Sequence, residues 1–314
     1  MSHTDSLITG ARTAIKHTGG SYKTRYNHIR EAERFVTELR SIGYGVQKWT
    51  NLTNKHVAAV VHNWQDRKLA VATLKEYLSG VRVVAKFFGN TKISGTNSDF
   101  GIEKRIYVTN TDKALHQTAF DKAIETLKAG NNLSHRVAAQ LQLQRALGLR
   151  NEESMKFSPR SVLSDGCVLV SAGTTGGRER MLSEISDQGR AAIQYAQSVM
   201  KKGDRNTMPK SMTERQWKNY FYRTARQVGI SKDKSGASSE GNRYYYAQQR
   251  YQTIAGFAPP CQFSKKEDFQ ANAEQIAGGG WTKLDQDARQ ILKAELGHVP
   301  DRNSVIGQYI GAAR

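Results

Sequence analysis

Arg150 stands in ALGLRNEESMKF, at the end of an apolar helical stripe and just before an acidic turn. Arg243 stands in EGNRYYYAQQRYQTIAG, and His298 and Tyr309 in AELGHVPDRNSVIGQYIG. A tyrosine hydroxyl can attack phosphorus. A guanidinium never loses its charge and forks onto two phosphate oxygens, and an imidazole can donate to a third. Cutting a phosphodiester with a protein hydroxyl needs these parts: a nucleophile, fixed cations for a pentacoordinate phosphorus, and an acid for the departing sugar oxygen. Taken singly, each residue has an ordinary structural reading as a surface or salt-bridging arginine, a Gly-His turn, or a half-buried aromatic on a closing helix. The rest of the chain decides between the two.

The 314 residues carry 47 Lys and Arg against 28 Asp and Glu, a formal net charge of +19. Such an excess is the electrostatic footprint of a protein that neutralises phosphates, and a polyanion is the expected partner. A membrane surface is the competing polyanion. The sequence has no apolar run long enough to span a bilayer, no signal-peptide core and no lipidation motif, so no membrane partner is expected. With Cys167 and Cys261 as the only cysteines, neither a disulfide framework nor a zinc cluster is expected. A reducing, cytoplasmic setting without a structural metal is expected.

The elements that must position the four residues follow from periodicity. Residues 1–20 are polar and glycine-bearing and are expected to be a mobile basic arm. Ile29, Ala32, Phe35, Val36 and Leu39 recur at helical spacing. Val57, Val60, Val61 and Trp64 make a second stripe, and Val71, Leu74, Leu78, Val81, Val84 and Phe88 a third. A small helical domain is therefore expected over 21–90, its outer faces carrying Lys23, Arg25, Arg30, Arg34, Lys55, Lys68, Lys75, Arg82 and Lys86 toward a DNA backbone. The Gly-, Asn- and Ser-rich stretch 91–111 reads as a linker. A second domain, 112–314, opens with helices, passes through a short β-like patch (CVLVSAGTTGGRERMLSEI) and returns to helices. Its segment 201–250 holds twelve Lys and Arg against four Asp and Glu, interleaved with Trp217, Tyr220, Phe221, Tyr222 and Tyr244 to Tyr246.

In order and context the three stretches resemble the signature boxes of the tyrosine recombinase (phage integrase) family, and the block 15–90 is similar to its SAM-like core-binding domain. The resemblance implies a mainly α fold: an all-α core-binding domain and an α-rich catalytic domain with a small antiparallel sheet, closing as a C-shaped clamp on DNA. It implies Arg150 and Arg243 as the catalytic arginines, His298 in the closing Leu-Gly-His turn and Tyr309 as the nucleophile. The implied reaction leaves a 3′-phosphotyrosyl bond and a free 5′-hydroxyl and needs no cofactor, because the covalent bond conserves the phosphodiester energy. Strand exchange is implied within a homo-tetramer on two specific DNA sites, with an accessory directionality or bending factor as a further partner, in the nucleoid of a bacterial cell or one infected by phage. A type IB topoisomerase shares the chemistry, but the N-terminal helical module is similar to the recombinase kind. Only IGAAR follows Tyr309, too little for a helix that docks on a neighbour. Subunit contacts are expected through the tyrosine-bearing helix or the first domain, on a protein monomeric until it meets DNA.

Two positions depart from the pattern. Glu240 holds the place of the second-box histidine, and residues 136–297 contain no histidine. Thr175 holds the place of the hairpin lysine that protonates the leaving oxygen, and no lysine lies between Lys156 and Lys201. Arg178 and Arg180 are near, but a guanidinium holds its proton too tightly for a general acid at neutral pH. Tyr244 follows Arg243 where a second histidine is common. Two function classes therefore stand: a recombinase or integrase weakened at these places, or a DNA-binding regulator or architectural protein on the same scaffold without the chemistry.

Overall fold

The computed structural model describes residues 5–298 and 304–313. The chain divides into two compact units at Ile106/Tyr107. Both are built of helices, with a single two-stranded antiparallel sheet among the described residues.

The first unit holds α1 (Ser6–Lys16), α2 (Tyr22–Ser41), α3 (Asn54–Asp66) and α4 (Val71–Phe87). Side-chain caps set their starts. Asp5 accepts from the Leu7 N–H at 2.8 Å, Ser21 accepts from Thr24 at 3.1 Å, and the His56 ring accepts from the Thr53 N–H at 3.0 Å. The α2, α3 and α4 stripes meet in one core around Phe35, Trp49, Trp64, Leu78 and Val81.

Two expectations change here. The N-terminal stretch is not a mobile arm: beyond residues 1–4, which lie outside the described residues, it folds as α1. Leu7, Ala11, Ala14 and Ile15 recur on one face and are fully buried in the same core. The Trp49 indole donates to the Leu7 carbonyl at 2.8 Å, and Arg40 clamps the Asp5 cap at 2.6 Å. Nor is 91–111 a free linker throughout. Phe100 and Ile102 are buried in the first core. Arg82, expected to face DNA, instead donates to the Gly95 carbonyl at 2.9 Å and to Asn97 at 2.8 Å.

The second unit holds α5 (Gln117–Lys128), α6 (Asn132–Leu147), α7 (Asn151–Met155), β1 (Val168–Val170), β2 (Arg180–Leu182), α8 (Asp187–Ser198), α9 (Glu214–Gln227), α10 (Lys232–Ser235), α11 (Gly241–Ala255), α12 (Lys266–Ala277), α13 (Trp281–Glu295) and α14 (Ser304–Ile310). β1 pairs with β2 in the register Val168 to Leu182 and Val170 to Arg180. α6 is buried around most of its circumference because α5, α7, α8, α9 and α11 all lie against it. Three of its buried polar groups are met individually, while the Gln140 amide has no hydrogen-bond partner among the described residues. Arg136 pairs with Asp204, Gln144 donates to Ser154 at 2.9 Å, and Arg145 donates to the Leu115 carbonyl at 2.9 Å between the rings of Phe120 and Tyr245. The aromatic residues of 201–250 divide: Trp217 and Phe221 are core, while Tyr222 is half exposed.

If α1 is core, Leu7→Ala should cost about 2–5 kcal/mol of stability by opening a cavity, read as a lower urea midpoint of the first unit. A mobile arm would leave the midpoint where it was.

Candidate active site

α6 ends at Gly148, whose φ of 60° is left-handed. A β-carbon there would collide with the Tyr246 ring, so only glycine fits both the turn and the approach. The turn carries the chain through Leu149 to Arg150, the N-cap of α7. Glu153, three residues on, returns its carboxylate to the Arg150 N–H at 2.8 Å and to the Arg150 guanidinium at 2.8 Å. Most of the Arg150 side chain is buried, with a fifth of it still open.

Glu153 is a hub that the sequence reading missed. Both of its oxygens also accept from Arg180 on β2, at 2.9 and 2.6 Å, a bidentate pair with the carboxylate fully buried. Arg180 further donates to the Glu295 carbonyl at 2.6 Å, which ties the hairpin to the end of α13. Burial works to raise the Glu153 carboxyl, but the Arg180 hydrogen bonds and charge, aided by Arg243 and the Arg150 N–H, overrule it and hold it at about 2. The capping spacing of Glu153 was a usable signal in the sequence. Its pairing with Arg180 was not.

Arg243, in the first turn of α11, is fully buried and donates in three directions. Nη1 meets the Gly148 carbonyl, Nη2 the Leu296 carbonyl at 2.6 Å, and Nε the Tyr309 hydroxyl at 3.2 Å. Tyr309, on α14, is 9% exposed, with its ring 5.7 Å from that of His298 and 4.8 Å from that of Tyr244. His298 follows Gly297, another left-handed glycine, and its Nε2 is buried with no hydrogen-bond partner among the described residues. Burial, then the charges of Arg243, Arg150 and Arg180, push His298 down to about 3, so the ring is neutral.

Glu240 caps α11 with its Oε1 3.9 Å from Arg243 Nε. Nearly half of its side chain is open. Burial of the carboxyl raises it above its ordinary value against the pull of Arg243 and Arg150. Tyr244 is pushed up to about 12 by burial, with Tyr309 and Glu240 adding to the shift. Arg150, Arg243, His298, Tyr309 and Glu240 are thus gathered around one guanidinium. Thr175 lies in the turn Thr175–Gly177 between β1 and β2, and its side chain is outside the described residues. The gathered groups offer a phenol, two guanidiniums, an unpaired imidazole nitrogen and a carboxyl of raised proton affinity, which together suit attack on a phosphate.

The depressed Glu153 carboxyl makes the site acid-labile. Its contribution is present above the ordinary value of 4.5 and is lost as pH falls toward about 2, a span worth roughly 3 kcal/mol. His298 acts in the same direction between 6.5 and about 3, because the unfolded chain takes up the proton first. Urea midpoints on either side of these windows should fall with acid. Glu153→Gln should be less stable by about 3–5 kcal/mol at neutral pH, since it leaves Arg180 and Arg150 uncompensated, and should lose less on further acidification.

Residues 5–94 match the family model of the phage integrase N-terminal domain, and residues 103–249 match the integrase model. Among solved structures the chain is similar to a lambda integrase tetramer bound to a Holliday junction, at 13% identity and a TM-score of 0.63, covering 97% of this chain and 76% of that one. It is similar to the Tn1549 transposon integrase in complex with transposon right end DNA, at 11% identity and a TM-score of 0.61, covering 98% and 95%. It is also similar to the XerH site-specific recombinase in a post-cleavage complex with palindromic difH substrate, at 11% identity and a TM-score of 0.57, covering 97% and 90%. Identities this low carry the fold alone, and the curated proteins offer no significant sequence match. The two family matches take in most of both compact units, and the chain belongs to the phage integrase family of tyrosine recombinases.

Proposed function

We propose that this chain is a site-specific DNA recombinase whose Tyr309 attacks a DNA phosphate, forming a 3′-phosphotyrosyl bond and freeing a 5′-hydroxyl. The observation that carries the reading is the 3.2 Å hydrogen bond from Arg243 Nε to the Tyr309 hydroxyl, beside the unpaired His298 Nε2. A phosphate at this point meets Arg150, whose side chain is a fifth open, and the neutral His298, and it reaches Arg243 as the Tyr309 hydroxyl leaves Nε to attack. These groups stabilise the charge that develops on phosphorus. Glu240 takes the proton of Tyr309 in place of the usual histidine. Its raised proton affinity suits that task, and its Oε1 and the Tyr309 hydroxyl both approach Arg243 Nε, at 3.9 and 3.2 Å. The free 5′-hydroxyl reverses the step on a second DNA site, so the reaction needs no metal or organic cofactor. Partners are duplex DNA and three further copies, as the lambda integrase relative forms a tetramer on a Holliday junction. The setting is the nucleoid of a bacterial or phage-infected cell, and no described helix is long and apolar enough to cross a membrane.

A second reading, a DNA-binding regulator or architectural protein on this scaffold, is favoured by Thr175 and Glu240 at the two altered places. A labelled, nicked duplex carrying the sequence that the whole chain enriches from a random library separates the two. The parent protein should form a covalent adduct, and Tyr309→Phe should abolish it while leaving binding intact. Thr175→Lys should raise adduct formation by about one to four powers of ten if the hairpin reaches the leaving oxygen and no other side chain serves as its acid, and Glu240→Gln should lower it. Binding without an adduct, even from Thr175→Lys combined with Glu240→His, would select the second reading.

A further inference from the structure

The cleavage proposed above lacks one part. Something must protonate the departing 5′ oxygen, and the hairpin that would carry a lysine has none between Lys156 and Lys201. Arg178 and Arg180 are poor substitutes, and Arg180 is already committed to Glu153 through both Nη atoms.

A lysine reaches the same neighbourhood from a different element. Along α9, Glu214, Lys218 and Tyr222 follow one another at four-residue spacing and so share a face. That face lies along α7, the helix that Arg150 caps. Glu214 pairs with Lys156 at 2.7 Å and Lys218 Nζ pairs with Glu152 at 2.6 Å. Glu152 and Glu153 are adjacent on α7 but differ in their partners: Glu153 is buried against the arginines, while Glu152 is partly open and holds the Lys218 ammonium. One turn beyond Lys218, Tyr222 feels the charges of both Glu240 and Glu152, which places this end of the face between α7 and the start of α11. The other lysines touching this region differ. Lys156 is at the far end of α7 from Arg150, and Lys293 lines a separate cleft with Gln286, Arg289 and Ile306.

We propose that Lys218 is the general acid of this enzyme, brought to the scissile phosphate on α9 in place of the missing hairpin lysine. As the Tyr309 oxygen bonds to phosphorus and the bond to the 5′ oxygen breaks, the Lys218 ammonium gives a proton to that oxygen and is left as a neutral amine. In the reverse step the amine takes the proton back from the attacking 5′-hydroxyl. An ammonium can do this because it releases and regains its proton far more readily than a guanidinium. Glu152 acts as a positioning residue, holding the ammonium on the helix that Arg150 caps until DNA arrives.

The inference rests on the cleavage reading, and the test separates the two. Two nicked duplexes of the library-selected sequence are compared, one all-oxygen and one with sulfur replacing the 5′ bridging oxygen at the cut. A thiolate leaves without being protonated. Lys218→Ala and Lys218→Arg should both slow adduct formation on the all-oxygen duplex by about 10²–10⁴-fold and leave the sulfur duplex at the parent's rate. Equal slowing on both duplexes would mean that Lys218 only binds or supports the fold. Full activity of Lys218→Arg would mean that only its charge matters, and unchanged rates in both variants would remove it from the reaction. Each of these outcomes overturns the proposal while leaving the recombinase reading standing. A parent protein that forms no adduct on either duplex overturns both.

Discussion

The second unit depends on one buried guanidinium. Arg243 has no exposed surface, and its three donor directions end on the carbonyls of Gly148 and Leu296 and on the hydroxyl of Tyr309. A buried cation of this kind is costly unless its hydrogen bonds are met. The turn after α6, the turn after α13 and α14 therefore have to converge on α11. The same bonds that satisfy the arginine set the spacing of the groups proposed to act on phosphate. Folding of the unit and assembly of the site are to that extent one event.

The charge of Arg243 is balanced through Glu153, whose carboxylate lies 3.9 Å from Arg243 Nη1 and is bonded more closely by Arg150 and Arg180. Three guanidiniums around one carboxylate leave net positive charge in a poorly solvated place. Burial and, after it, that excess keep His298 neutral, and the excess leaves a natural seat for an anion. Glu240 fits the same account. A carboxylate beside a phosphate is repelled, but here its proton affinity is raised by burial, so the residue that departs from the family pattern is still suited to exchanging a proton with a neighbouring phenol.

The helices between the boxes have a second role. α9 buries Trp217 and Phe221 in the core and turns Lys218 and Tyr222 toward α7 and the start of α11. A basic, aromatic-rich segment thus divides into a structural face and a face bordering the site. In the first unit, Arg82 is likewise consumed by the 95–97 loop. A count of basic residues reports the kind of partner, and the packing decides which of them are available to it.

The sequence by itself determined the local events. Gly148 and Gly297 mark left-handed turns, Glu153 stands at capping distance from Arg150, and the stripes of α2, α3 and α4 follow helical spacing, because turn, cap and periodic preferences act over a few residues. The periodic stripes were enough for the helical class, and the three boxes for the family. The burial of α1 was also present, as Leu7, Ala11, Ala14 and Ile15, but a polar and glycine-bearing context outweighed it, and only its packing against α2, α4 and Trp49 makes that helix core. Tertiary structure alone decided the pairs distant along the chain: Glu153 with Arg180, Lys218 with Glu152, and Arg243 with Tyr309. No short-range preference couples such residues. They meet because the packed helices bring them within reach, and where the charge is buried, as in Glu153 with Arg180, it must find its partner there.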